Sequence, residues 1–109
     1  MSIKEVKQLK IAALHYTVER RPIPITESEF SNVIGKFCHE SCKLLIANIL
    51  ADEVEALTIM HEAMHAFFHH ANIHQDETNV EVMGNYMLNF IRDNPDFIKA
   101  VQSTRYHKE

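Results

Sequence analysis

Residues 52–71 read DEVEALTIMHEAMHAFFHHA, and they begin the second half of the 109-residue chain. The apolar residues recur at the three- and four-residue spacing of a buried helix. Asp52 is a good N-cap, and Glu53 and Glu55 then fall in the first turn, where the helix dipole favours negative charge. We therefore predict a helix that is capped by Asp52 and ends near Ala71. Its apolar positions are Val54, Leu57, Ile59, Met60, Met64, Phe67 and Phe68.

Within this helix, residues 61–65 read HEAMH. His61 and His65 are four residues apart, so they share one helical face and both imidazoles can reach the same metal ion. Glu62 points roughly 100° from His61 and roughly 60° from His65, so it flanks the open position of the metal and takes no ligand place. There it can deprotonate a zinc-bound water, whose pKa the metal lowers toward about 7. The spacing predicts a Zn²⁺ site with Glu62 as the general base.

The histidine content allows a simpler interpretation as well. The chain holds 8 histidines, and four of them lie between residues 61 and 70. They could line a solvated surface that binds no metal. However, the apolar residues before the motif indicate a buried helix, where unpaired histidines would be costly. We therefore favour metal binding, the commonest reason for such a concentration.

The third metal ligand is expected on the next helix. Glu81 is the preferred residue, because that helix can fold back antiparallel against the first one. Glu77, one turn earlier on the same face, is the alternative, and Asn85 could hydrogen-bond to the site. His69 lies about 12 Å along the helix axis from His61, so the two cannot readily share one ion. The remaining candidates are Asp76, His69, His70 and His74.

Two further helices are predicted. Asp76 can cap a helix over residues 77–92, whose apolar stripe repeats at helical spacing. Residues 94–95, Asn-Pro, provide a cap and a first-turn proline for a short helix over residues 96–102. The polar tail, residues 103–109, is expected to fray.

The first half of the chain predicts strands. Residues 11–19 form one, which ends where the prolines of residues 21–24 exclude both a helix and a central strand. Residues 26–30 predict a turn or short helical segment. Residues 33–38 and 43–49 are apolar runs separated by a polar trio of hairpin length, which indicates an antiparallel pair. Strands followed by helices indicate an α+β fold, with the helices on one face of a small three-stranded antiparallel sheet.

Length and composition indicate one globular domain over residues 1–109. Hydrophobic residues make up 46% and charged residues 24%, as in ordinary globular proteins. No apolar run reaches the roughly 18 residues that span a bilayer, and the start, MSIKEVKQLK, lacks a signal-peptide pattern. The net charge is −4 and no basic face is visible, which argues against nucleic-acid binding. We expect a cytoplasmic protein with neither a membrane nor a nucleic-acid partner.

The two cysteines, Cys38 and Cys42, are too few for a disulfide scaffold, and the cytosol would keep them reduced. Together with His39 they could form a second metal site. We prefer the alternative, two half-buried thiols on either side of the hairpin turn, because cysteine often behaves as a small apolar residue.

The second half of the chain, mainly residues 53–101, resembles the small HExxH proteins of phages and prophages. These are grouped with ImmA/IrrE-like and other minimal zincin metallopeptidases. The shared features are an apolar pair, HExxHA, a short acidic connection, a helix with VE and a later Asn, and a DNP segment. In this chain they are Ile59-Met60, residues 61–66, Asp76-Glu77, Val80-Glu81 with Asn85, and Asp93-Asn94-Pro95. The runs at residues 33–35 and 44–48 also look like the hairpin of that family.

The resemblance implies a minimal zincin fold with Glu81 as the third zinc ligand. It further implies a zinc-dependent metallopeptidase that hydrolyses a peptide bond in an intracellular protein, and some relatives act on a repressor. Tyr86, His69 and His74 are candidates for stabilising the oxyanion, although the metal alone could do much of this. In so small a fold the cleft is expected to be shallow unless a partner or a second copy in a homodimer completes it.

Two other functions remain open. The chain could be a zinc-stabilised module that binds a regulatory protein without cutting it, but such a module would not need Glu62. It could also be a structural phage component without metal, which elemental analysis would distinguish at once.

Overall fold

The computed structural model describes residues 1–22 and 34–104, and it has the α+β class expected from the sequence. The turn predicted at residues 26–30 lies outside the described residues, as does the end of the tail. A short 3₁₀ helix comes first, followed by four strands and three helices. The elements are the 3₁₀ helix Ile3–Glu5, β1 Gln8–Ile11, β2 Leu14–Arg21, β3 Gly35–Cys38, β4 Lys43–Ala47, α1 Asp52–Ala71, α2 Glu77–Asp93 and α3 Pro95–Ser103.

The run predicted as one strand at residues 11–19 is divided by a tight turn. Ala12 and Ala13 adopt φ values of 51° and 72°, and β1 then pairs antiparallel with β2. Left-handed backbone is disfavoured for residues other than glycine and asparagine, so two alanines give no turn signal in a sequence. This is why the hairpin was predicted as one continuous strand.

The sheet is mixed and has four strands in the order β1-β2-β4-β3, so the prediction of a three-stranded antiparallel sheet is wrong. The predicted hairpin is present, because β3 pairs antiparallel with β4. The unexpected feature is the parallel pairing of β2 with β4, which runs from Thr17 opposite Lys43 to Arg21 opposite Ala47. The pattern of apolar residues fixes which face of a strand is buried, but it does not encode the direction of its neighbour.

The main core lies between the sheet and α1. Leu44 and Ile46 of β4 are fully buried on this side, and Leu45 and Ala47 are buried on the other, as expected for a strand covered on both faces. The residues that form the cluster under α1 are Ile11, Tyr16, Val18, Leu44, Ile46, Ile59, Ala63 and Ala66.

The helix ends agree only partly with the predicted caps. Asp52 is the first residue of α1, and the N-cap is Ala51, which provides no side-chain hydrogen bond. The predicted cap at Asp76 is present, because its carboxylate accepts a hydrogen bond from the Asn79 backbone N–H at 3.1 Å. Asn94 occupies the N-cap of α3 without capping it, since its side-chain amide donates instead to the carbonyl of Phe90.

Helix α2 folds back antiparallel along α1. Arg92, near the end of α2, forms an ion pair with Glu53 in the first turn of α1. In the middle of α2, a Cβ added at Gly84 would lie only 3.6 Å from the Cα of His61. The small residue therefore lets α2 pass close to the HEAMH segment. Among the described residues, no helix is long and apolar enough to cross a membrane.

Candidate metal centre

The two histidines of the motif meet a carboxylate from α2. The Nε2 of His61 lies 2.5 Å from Oε1 of Glu77, and the Nε2 of His65 lies 3.3 Å from Oε2 of the same side chain. One donor atom from each residue lies within 4.8 Å of the other two. Two imidazoles and one carboxylate match the donor set of a catalytic zinc site, in which a fourth position stays open.

The side chain of Gln75 orients one of the imidazoles. The Nδ1 of His65 lies 2.8 Å from Oε1 of Gln75, in the connection between α1 and α2. With this oxygen as acceptor, Nδ1 carries a proton, and Nε2 faces Glu77, where it can bind a cation once it is deprotonated. A partner on the second nitrogen is typical of metal-binding histidines, because it fixes both the tautomer and the ring orientation.

The structure brings Glu77, the alternative carboxylate, to the imidazoles. Glu81, the preferred third ligand, lines the same cavity together with Asn85 but is not in the group of converging donors. Helical periodicity places Glu77 and Glu81 on one face, one turn apart, so spacing alone does not distinguish them. The choice of Glu81 stays a prediction. Asp76 is occupied as the cap of α2, and His74 is exposed.

Glu62 is buried directly beside this group, with only 6% of its surface exposed. Burial raises its pKa from 4.5 to about 7, and the negative charge of Glu77 adds to this, while the charge of His65 and a backbone hydrogen bond from Phe37 act in the opposite direction. Strand β3 encloses the carboxylate, since a Cβ at Gly35 would lie 2.9 Å from Oε2 of Glu62. The HEAMH segment thus places a buried acid next to the converging donors.

The pKa of Glu77 shifts the other way. Its partial burial raises the pKa, but the hydrogen bond from His61 and the charges of both imidazoles outweigh burial, so the pKa lies below the ordinary carboxyl value. Glu77 is therefore ionised at neutral pH, which is the form that binds a cation.

A cavity of about 700 Å³ opens next to the site, within the size range of ligand pockets. Its walls come from β3 with Ile34, from α1 between Val54 and His65, from Gln75 in the connection, and from the face of α2 that carries Glu77 and Glu81. Tyr86, His69 and His74, the candidates for an oxyanion stabiliser, do not line this cavity.

The other clustered histidines belong to a separate aromatic group. The hydroxyl of Tyr16, which is fully buried, lies 2.7 Å from Nε2 of His70 and 3.3 Å from Nδ1 of His39. The rings of His39 and His69 are in contact, with centroids 3.9 Å apart, and His69 also packs against Phe37. Burial and the charge of nearby Cys42 raise the pKa of Tyr16. His39 and His70 are thus partners of a buried tyrosine, and His69 packs beside them. The sequence spacing did not indicate this group.

The thiols of Cys38 and Cys42 are half-buried and unbonded. Cys42 packs against the core under α1, and Cys38 packs against the buried pair on the other face of the sheet. Neither belongs to a group of three converging metal donors among the described residues, so their packing agrees with the preferred interpretation of them as small apolar residues.

Comparison of the chain with protein-family models, with curated proteins and with solved structures finds no match. The resemblance to the minimal zincins stays a prediction that is based on the motif residues.

Proposed function

We propose that this chain is a zinc-dependent metallopeptidase whose centre is formed by His61, His65 and Glu77. The observation that carries the proposal is the convergence of these three side chains beside the buried carboxylate of Glu62. Imidazole and carboxylate are common zinc ligands, and three protein ligands leave a position for catalysis. A purely structural zinc site is usually closed by four protein ligands, so this donor set favours a catalytic function.

The chain's own residues have separate roles in this mechanism. When bound, zinc supplies Lewis acidity toward water and toward a peptide carbonyl. Glu62 accepts a proton as the water oxygen adds to the carbonyl carbon, and it then gives this proton to the nitrogen of the leaving amine as the C–N bond breaks. Gln75 holds the tautomer of His65 that presents a lone pair to the ion.

The environment of Glu62 supports this role. A general base works best when its pKa is close to the working pH, and burial raises the pKa of Glu62 to about 7 in the absence of an ion. A cation held by His61 and His65 would lower this pKa, as the charge of His65 itself does. Glu62 would then be ionised and able to accept a proton at neutral pH.

The choice between the two carboxylates of α2 is open to a direct test. The contacts of Glu77 with both imidazoles support it as the third ligand, while the resemblance to minimal zincins supports Glu81. Glu77→Gln and Glu81→Gln are nearly isosteric, so each removes a charge without removing volume. We expect Glu77→Gln to weaken zinc binding more than Glu81→Gln in a competition titration with a chelator. The reverse order would assign the ligand to Glu81.

The proposal as a whole is tested by metal analysis and by hydrolysis of a peptide library. We expect about one zinc ion per chain, lost in His61→Ala and in His65→Ala. The matched control is His74→Ala, since His74 is an exposed histidine outside the centre. Zinc at wild-type occupancy in both ligand variants would refute the site. Zinc-loaded wild type that cuts no peptide or regulatory protein would favour the non-catalytic binding module.

A further inference from the structure

Helix α2 exposes an apolar surface on the side that faces away from α1. Only Val80, Gly84 and Leu88 of this helix are buried. The exposed surface continues onto α3 and is called the α2–α3 strip below. Its members and their exposed fractions are Met83 44%, Tyr86 69%, Phe90 46%, Phe97 54% and Val101 50%.

Helix α3 has no buried residue at all. It is joined to α2 by an edge-to-face contact between Phe90 and Phe97, whose ring centroids are 5.8 Å apart. A helix of nine residues is marginal on its own and depends on apolar packing. The exposed side chains of Phe97 and Val101 are therefore available for packing that the described chain does not supply.

The strip is large for a chain of this length, near the upper end of the range found for monomers. With a fully exposed large side chain at about 200 Å², the exposed fractions correspond to roughly 500 Å² of surface, most of it apolar. The largest apolar patch of a typical monomer is about 300–600 Å². A stable dimer buries about 800 Å² on each partner, including its polar rim. About 65% of a homodimer interface is apolar, which is roughly 520 Å² of these 800 Å², and the strip offers apolar surface of that size.

The spacing within the strip indicates a helical partner. Asn79, Met83, Tyr86 and Phe90 follow one another at intervals of four, three and four residues, which is the spacing of the contact seam between two packed helices. Phe97 and Val101 repeat the four-residue interval in α3. A lipid surface fits less well, because interfacial helices are rich in basic residues beside the apolar face, whereas residues 77–103 contain four acidic residues and two basic ones.

We propose that the α2–α3 strip is the interface of a homodimer, in which two copies of α2 pack antiparallel about a twofold axis near Tyr86. Around this axis Met83 of one copy faces Phe90 of the other. At each end Asn79 faces Asp93 of the second copy, where the amide donates a hydrogen bond to the carboxylate. Between Thr78 and Ile91 the helix carries one charge, Glu81, which lines the metal cavity. The middle of the interface therefore contains no charge, and Asp93 lies at its two ends.

The proposed dimer leaves the metal centre open. Glu77, Glu81, Gly84 and Asn85 line the cavity from a different side of α2 than Met83 and Tyr86. The interface is independent of the proposed peptidase activity, so the two proposals can fail separately.

The test is sedimentation equilibrium of the full chain and of two lysine variants. Tyr86→Lys places two like charges across the twofold axis, and Tyr86 is exposed enough for the folded monomer to accept lysine. Ile49→Lys is the matched control, because Ile49 is 73% exposed and lies outside the strip. We expect wild type and Ile49→Lys to sediment at twice the chain mass of 12.7 kDa, and Tyr86→Lys to dissociate at least about a hundredfold more readily.

Circular dichroism and zinc analysis of the same samples separate this result from misfolding. Tyr86→Lys should retain the helical signal and the zinc content of wild type, and loss of the dimer under these conditions supports the interface. Wild type that is monomeric at about 100 µM would overturn the proposal. A dimer of Tyr86→Lys with unchanged affinity would overturn it too, as would a monomeric wild type that cosediments with phosphatidylcholine vesicles.

Discussion

Helix α1 buries two carboxylates seven residues apart, Glu55 and Glu62, and their surroundings are opposite in charge. Seven residues are almost two helical turns, so both side chains point from the same face of α1 toward the sheet. Glu55 is 1% exposed and Glu62 is 6% exposed. Both side chains are therefore nearly inaccessible to solvent. They differ in the groups that each carboxylate meets and in how deeply the surrounding protein encloses it.

Glu55 is compensated by two cations. Lys4 contacts one of its oxygens at 2.7 Å, and Arg20 contacts the other at 2.8 Å. Burial raises the pKa of Glu55, but the hydrogen bonds and charges of Lys4 and Arg20 outweigh burial, so the pKa lies below the ordinary value. Arg20 also donates to the carbonyls of Ile3 and Val6. Glu55 thus links the amino-terminal segment and β2 to the first turn of α1.

Glu62 has no lysine or arginine partner among the described residues, and its pKa is raised to about 7. The nearest groups are an imidazole, a second carboxylate and the backbone of β3. A buried charge without compensation is costly to the fold. The comparison teaches that burial alone does not indicate a functional acid. A buried acid that the fold leaves uncompensated beside groups able to hold a metal ion is the better candidate.

We expect the largest effect on the rate of peptide hydrolysis, when Glu62 is replaced in Glu62→Gln. The amide cannot accept a proton, so the rate should fall by about 10²–10⁴-fold while zinc content is unchanged. The measurement is cleavage by wild type and variant at matched zinc occupancy. Glu55→Gln is the paired control, and the zinc-loaded folded fraction of that variant should keep its rate. Full activity in Glu62→Gln would show that Glu62 is not the general base, and that it does not differ from Glu55 in this respect.

The next largest effect is expected for the stability of Glu55→Gln. This change leaves Lys4 and the largely buried Arg20 without their counter-charge, and losing one partner of a buried pair costs about 3–5 kcal/mol. Because Lys4 is 43% exposed, the expected loss is smaller, about 2–3 kcal/mol. Chemical denaturation at pH 7 measures it. The lowered pKa makes this contribution complete above pH 4.5 and progressively lost below it. An unchanged free energy of unfolding would mean that the contacts of Glu55 with Lys4 and Arg20 do not stabilise the fold.

The sequence predicted the surroundings of Glu62 within the HEAMH segment better than it predicted the partners of Glu55. His61, Glu62 and His65 lie within one helical segment, so their relative positions follow from the geometry of a helix. The partners of Glu55 are 35 and 51 residues away, and no local pattern encodes contacts at that distance. For the same reason Glu55 was interpreted only as a first-turn acid that favours the helix dipole.

The same division between local and long-range information holds for part of the fold, although the side-chain caps predicted at Asp52 and Asn94 are local features that the structure lacks. The cap at Asp76 and the hairpin of β3 and β4 depend on neighbouring residues, and both predictions are confirmed. The parallel pairing of β2 with β4 depends on segments far apart in sequence, and it was missed. The contact of Gln75 with His65 gave no signal either, because a glutamine in a connection usually faces solvent.

A third effect, of opposite sign, is expected for the stability of metal-free Glu62→Gln. The native pKa is raised from 4.5 to about 7, so the native state binds more protons than the unfolded state between these values. Wild-type stability should therefore fall as the pH rises through this window, and the full penalty is reached above about pH 7.

The variant lacks this titration and should be more stable than wild type at pH 8 by on the order of 2–3 kcal/mol. At pH 4.5 the difference should be small. Thermal unfolding in the presence of a chelator measures both values. A pH-independent difference would show that the carboxyl of Glu62 does not titrate as an uncompensated buried acid.

The smallest effect is expected for the third acid of the helix, Glu53. It forms a bidentate ion pair with Arg92, with both N–O distances at 2.8 Å, and the hydrogen bonds from Arg92 lower its pKa. The geometry of this bidentate ion pair is closer to ideal than that of the contacts of Glu55 with Lys4 and Arg20. However, both side chains of the pair are exposed, so water solvates the charges equally well after the pair is broken. We expect Arg92→Gln to shift the midpoint of thermal unfolding by only about 1–2 °C, and less at high salt. A loss as large as that of Glu55→Gln would mean that ion-pair geometry, and not burial of the carboxylate, determines how strongly an acid stabilises α1.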